Sequence, residues 1–116
     1  MHNFSKDRVT EDAKRIINSI IKEDLSDPLF DNFITIKDIK IPRGKGLFTI
    51  YFNAGFDNSD EVLELEKRIK AAFEKSTPFI RGKIARVLKL RKAPELRFEI
   101  DNAMRNAEKI EKLLNE

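Results

Sequence analysis

Seven cations and no carboxylate occupy the twenty residues from Lys75 to Pro94: Lys75, Arg81, Lys83, Arg86, Lys89, Arg91 and Lys92. Setting these seven aside from the chain's 23 basic residues leaves 16 against 20 acidic ones, a net charge of minus four in place of plus three. The basicity is therefore local. Phe79, Ile80, Ile84, Val87 and Leu88 recur at helical spacing, which predicts a helix burying those residues and turning Arg81, Lys83, Arg86 and Lys89 to the other side. Such a face can neutralise phosphates and release their counterions. A solvated helix surface is the plain alternative, but elsewhere the chain mixes its charges.

Ser76-Thr77-Pro78 stands just before the helix predicted within this segment. Thr77 is expected as N-cap and Pro78 at the first helical position, so that free amides beside Ser76 and Thr77 add an anion site. Arg91 and Lys92 extend the cationic run to Ala93-Pro94. The candidate nucleic-acid-binding set is thus Ser76, Thr77, Arg81, Lys83, Arg86, Lys89, Arg91 and Lys92. Arg43 and Lys45, in Pro42-Arg43-Gly44-Lys45-Gly46, are auxiliary candidates, because a glycine-rich turn can wrap a phosphate with successive amides. A simple hairpin turn explains the same glycines.

Other chemistries lack their residues. The chain has no cysteine and one histidine, His2 beside the terminus, which excludes disulfides, thiol catalysis and Cys-containing zinc sites. Glu95, Glu99 and Asp101 are close in sequence, but acid-base or metal work would need a pocket and an activating partner. No P-loop, dinucleotide fingerprint or nucleophile motif is present. The expectation is a binding protein without enzymatic activity, cofactor or metal. No apolar run is long enough to span a bilayer, so a soluble cytoplasmic protein, without membrane association, is expected.

At 116 residues the chain reads as one domain, 1–116, with 1–6 expected to be mobile. Val9, Ala13, Ile16, Ile17, Ile20, Ile21 and Leu25 predict a helix from about Asp7 to Leu25, capped by Ser5 or Asp7 and ended by Ser26-Asp27-Pro28. Phe33 to Ile41 predicts a strand with a bulge near Asp38, and Leu47 to Asn53 a second strand whose Phe48, Ile50 and Phe52 share a face. Together they predict an antiparallel hairpin. Ser59 is the expected cap of a further helix with Val62, Leu65, Ile69, Ala72 and Phe73 as its buried stripe. After the basic helix, Leu96, Phe98 and Ile100 alternate in a third strand, and 103–116 predicts a last helix.

The order α-β-β-α-α-β-α, with three strands and helices on one face, predicts a two-layer α+β domain. Of the nine phenylalanines, Phe48, Phe52, Phe73, Phe79 and Phe98 are assigned to the core. Tyr51, on the opposite strand face, is the one aromatic read as a possible base-stacking platform.

Arg8-Val9, Asp27-Pro28, Phe79-Ile80-Arg81, Leu90-Arg91, Pro94-Glu95-Leu96, Phe98 and Asp101 line up, in order, so that the chain resembles the ribosome-binding factor A family of bacteria. The resemblance runs from about Arg8 to Leu114. It implies a type II KH-like fold and a non-enzymatic assembly factor that binds the 30S subunit and 16S ribosomal RNA. It further implies a role in maturation of the RNA's 5′ end and in growth in the cold; a monomer is expected. Relatives carry a small-residue kink ending in glycine where this chain has Ser76-Thr77-Pro78. Two other readings fit the charge pattern: a helix-turn-helix DNA binder, or an adaptor whose basic face meets an acidic protein or membrane surface.

Overall fold

The computed structural model describes residues 2–44, 46–55, 57–102 and 114, with side chains from Arg8 onward. The elements run α1 (His2–Glu23), a 3₁₀ turn (Pro28–Asp31), β1 (Ile34–Lys40), β2 (Leu47–Ala54), α2 (Asp60–Val87) and β3 (Glu95–Ile100). The α+β class stands, with a three-stranded sheet in the order β1-β2-β3. The expected last helix, 103–116, lies outside the described residues except for Leu114.

β1 and β2 pair antiparallel, and the register shifts between Ile36 and Asp38, the bulge expected from the broken alternation. β2 alternates strictly, with Phe48, Ile50, Phe52 and Ala54 buried and the residues between them half-buried. β3 pairs with β2 in parallel, from Leu47↔Glu95 to Phe52↔Ile100. A parallel neighbour needs a long crossover, and α2 supplies it.

Both helices pack their apolar stripes on one face of this sheet. Ala13, Ile17 and Ile20 of α1 meet Ile69, Phe73, Ile80 and Ile84 of α2 above Phe48, Ile50, Phe52 and Phe98. Phe73 is the centre of the aromatic packing. Its ring stacks on Phe98 at 4.5 Å, meets Phe52 edge-on at 5.2 Å and lies tilted against Phe30 at 5.1 Å.

Several local expectations are corrected. α1 begins at His2, so Ser5 and Asp7 lie inside it and neither is its N-cap; it ends at Glu23. Asp27 instead caps the 3₁₀ turn, its carboxylate accepting from the Leu29 N–H at 2.9 Å. The larger correction concerns Ser76-Thr77-Pro78, where no break occurs. The two helices predicted there are one, α2, with Pro78 in its interior.

The reason is packing. An interior proline removes the bond to the carbonyl four residues back and costs about 3 kcal/mol. Burying one aliphatic side chain returns about 2 kcal/mol. Continuing the helix in phase from Ile69, Ala72 and Phe73 brings Ile80 and Ile84 fully into the core. The same phase leaves Phe79 and Val87 each 50% exposed, so neither joins the core as expected. Ser59 does cap α2, its Oγ accepting from the Val62 N–H at 3.2 Å.

Candidate nucleic-acid interface

The C-terminal end of α2 closes with a residue outside the usual backbone range. Lys89 has φ +55°, and around it the Leu90 N–H donates to Ala85 O at 2.8 Å and the Lys89 N–H to Arg86 O at 3.3 Å. This is the Schellman pattern, with a lysine where glycine is usual. The basic helix predicted to reach Ala93 therefore stops at Val87. Lys89, Arg91 and Lys92 lie on the connection to β3, while Arg86 occupies the last helical turn.

Arg81 fixes that connection to the helix. Its Nε donates to Pro94 O at 2.7 Å and its Nη2 to Ala93 O at 3.4 Å. On the other side, the Glu95 N–H donates to Gly46 O at 2.9 Å, tying the hairpin turn to the start of β3. Gly44 in that turn has φ +94°, a conformation that favours glycine.

These links bring two separate basic stretches of sequence to one end of the domain. Gly44, Gly46, Arg81, Leu90, Arg91, Lys92, Ala93 and Glu95 line a groove of about 450 Å³. Three cations face one carboxylate there, which suits a phosphate. The helix end opposes this in part: the C-terminus of a helix carries partial negative charge, and cations in the last turn and just beyond it are stabilised by that dipole. Part of the local basicity therefore serves the helix end as well.

The remaining predicted residues are distributed differently. Arg43 is exposed at the hairpin turn, beside the groove glycines in sequence, and Lys45 lies outside the described residues. Lys83 is ion-paired with Asp24 and joins α2 to the end of α1. Arg86 and Lys89 are exposed. Ser76 and Thr77 sit within α2, so the anion site expected at free helix amides does not form. The Thr77 hydroxyl instead donates back to Phe73 O at 3.1 Å. Tyr51 is half-buried on the sheet face away from the helices, with Lys40 Nζ 5.4 Å from its ring centre.

Of the carboxylates near β3, Glu99 and Asp101 line one shallow hollow with Thr49, Tyr51 and Arg97, whereas Glu95 lies apart from them. Glu95 lines the groove, and Glu99 pairs with Lys70 at 3.6 Å. Among the described residues, no group of three or more His, Cys, Asp or Glu is placed to hold a metal ion, and no helix is long and apolar enough to cross a membrane.

One residue of consequence escaped the sequence reading. Glu66 is 3% exposed, and its Oε2 accepts from the Ala54 N–H at 2.8 Å and from Asn53 Nδ2 at 3.1 Å. Asn53 Nδ2 also donates to Asp101 O at 2.8 Å, so one buried carboxylate organises the ends of β2 and β3. A glutamate among Glu61, Glu64 and Lys67 looks like surface; only its phase with Ile69 and Phe73 signals burial.

Two helices over one face of a three-stranded sheet, with a parallel β2-β3 pair and a basic groove at one end, define a small α+β domain of KH-like type. Its sequence matches the family model for ribosome-binding factor A over residues 5–114. The chain belongs to the ribosome-binding factor A family. It is 30% identical to ribosome-binding factor A of Coprothermobacter proteolyticus over 117 residues, covering 100% of this chain and 80% of that one. It is 32% identical to the Acetivibrio thermocellus protein of the same name, covering 95% and 85%. The crystal structure of ribosome-binding factor A from Thermus thermophilus superposes with a TM-score of 0.67 at 18% identity, over 84% of this chain and 98% of that one. A homology model of the Thermus thermophilus protein, fitted into the cryo-electron microscopy map of a 30S complex, gives a TM-score of 0.58 at 20% identity, over 80% and 91%. The helix-turn-helix reading loses its motif, because the break that would separate two helices at residues 76–78 is absent.

Proposed function

We propose that this protein binds the small ribosomal subunit by gripping 16S ribosomal RNA, and that it assists maturation of the subunit, including the 5′ end of that RNA, without catalysing a reaction. The observation that carries the reading is the family match over residues 5–114. The convergence of Arg81, Arg91 and Lys92 at one groove supplies a chemical means. Phosphates would be held there by Arg91, Lys92 and the outer edge of Arg81, with Arg43 contributing from the hairpin turn. Arg86 and Lys89 extend the same cationic end. The protein acts as a cytoplasmic monomer, and support of growth in the cold belongs to the same reading.

Sedimentation tests it. In a sucrose gradient of a cell lysate at low salt, the protein travels with 30S subunits and moves to the top of the gradient as salt rises. A protein that stays in the soluble fraction at every salt concentration would reject the reading and favour an adaptor with a basic face.

A further inference from the structure

Pro78 does not end the helix, and the uninterrupted phase creates a surface that a restarted helix would lack. Arg68, Lys75, Phe79 and Arg86 follow one another at steps of seven, four and seven residues, so they share one side of α2. All four are exposed, with Ala71 and Gly82 as the small residues between them. A Cβ placed on Gly82 would meet nothing within 4 Å outside its chain neighbours and the helix backbone. No carboxylate lies on this stripe from Arg68 to Arg86.

Other cations of the helix are engaged: Lys67 with Glu64, Lys70 with Glu99 and Lys83 with Asp24. Arg68, Lys75 and Arg86 form no ion pair among the described residues. One aromatic ring, open to solvent and flanked by three cations that are unpaired among the described residues, is the arrangement that holds single-stranded nucleic acid: the ring stacks a base while the cations meet phosphates. Lys75 and Arg86 stand about 16 Å apart along the helix axis. That span suits a backbone of a few nucleotides passing across Phe79.

We infer that Phe79 is a base-stacking platform for an unpaired RNA nucleotide, with Lys75 and Arg86 binding the flanking phosphates. This rests on the RNA-binding function proposed above and adds a second contact surface to the groove. A protein occupant fits less well, since it would have to desolvate three arginines and lysines to cover a single ring.

The test uses the full chain with a fluorescently labelled single-stranded RNA decamer and, in parallel, purified 30S subunits. Phe79→Leu keeps an apolar side chain and removes the ring; its decamer affinity is expected to fall about ten-fold with an unchanged dependence on salt. Arg86→Gln is expected to weaken binding and reduce the salt slope by about one. Phe79→Trp is expected to retain affinity, and its emission to be quenched by RNA. An unchanged urea midpoint for each variant establishes that folding is intact.

If Arg86→Gln weakens binding while Phe79→Leu binds like the parent and Phe79→Trp is not quenched, the stacking inference is overturned and the RNA-binding function survives. Loss of 30S binding in Phe79→Leu with decamer binding intact assigns the ring to a protein contact and also overturns it. A parent protein that binds neither RNA nor 30S subunits rejects both.

Discussion

Arg81 Nε donates to the carbonyl of Pro94 at 2.7 Å, so a guanidinium inside the most basic stretch of the chain is engaged by its own backbone. Lysine keeps the charge but cannot reproduce the fork that reaches both Pro94 O and Ala93 O. Arg81→Lys is expected to lower stability by about 1 kcal/mol, after discounting a charged hydrogen bond for partial exposure. Hydrogen exchange should accelerate in residues 91–95. RNA affinity should fall modestly without a change in salt slope, because the number of cations is the same. A salt slope reduced by a full unit would instead make Arg81 mainly a phosphate ligand.

Glu66 is the other residue whose role is set at a distance. Glu66→Ala strands the buried Ala54 N–H, and the expected cost is about 2 to 3 kcal/mol in urea unfolding. Glu66→Gln keeps a carbonyl oxygen for one donor and should lose less than half of that. Equal losses in the two variants would show that the site needs the charge and not merely the acceptor.

The two cases mark where sequence reasoning reached and where it stopped. Period-two alternation at Phe48, Ile50 and Phe52, the interrupted pattern at Asp38 and the capping serine at 59 are local signals, and each appears in the structure as read. What was illegible depends on partners far along the chain. Pro78 carries a strong local signal for a helix start, but α2 runs through it and holds Ile80 and Ile84 in phase with Ile69 and Phe73, a continuity visible only once the sheet is in place. The error in phase is what assigned Phe79 to the core, when the continuous helix leaves it at the surface. The basic residues were visible as a group, whereas their division among groove, ion pair and exposed stripe follows from Arg81, Lys83 and Phe79 individually.

Phe73 touches three other rings, and the core has no substitute for it. Phe73→Ala is expected to cost about 3 to 5 kcal/mol, a large share of the stability of a domain this size. Thermal unfolding monitored by circular dichroism should show a much lower midpoint. Phe73→Leu should lose less, since it leaves a smaller cavity.

Lys89 holds a left-handed conformation at the end of α2 without being glycine. The strain is about 1 kcal/mol for a residue with a Cβ. Lys89→Gly should therefore raise stability by roughly 0.5 to 1 kcal/mol while removing one cation near the helix end. RNA affinity measured alongside separates the two effects: a stabilised protein with weaker binding and a shallower salt slope would count Lys89 among the phosphate contacts.

Pro78 offers the most direct test of the helix itself. At the first position of a separate helix, proline would be favourable, and Pro78→Ala would be neutral or destabilising. Inside a continuous α2, Ala restores a donor for the Glu74 carbonyl and removes the ring's clash with the preceding turn. The expected outcome is a gain of about 1 to 3 kcal/mol, reduced to the extent that the surrounding core is fitted to the proline. Urea unfolding decides between these signs. Because Phe79 and Arg86 keep their phase with Lys75 in a helix that continues through residue 78 in either case, Pro78→Ala should leave RNA affinity within about two-fold of the parent. A large loss of affinity despite higher stability would mean that the proline ring itself helps to place the cationic stripe.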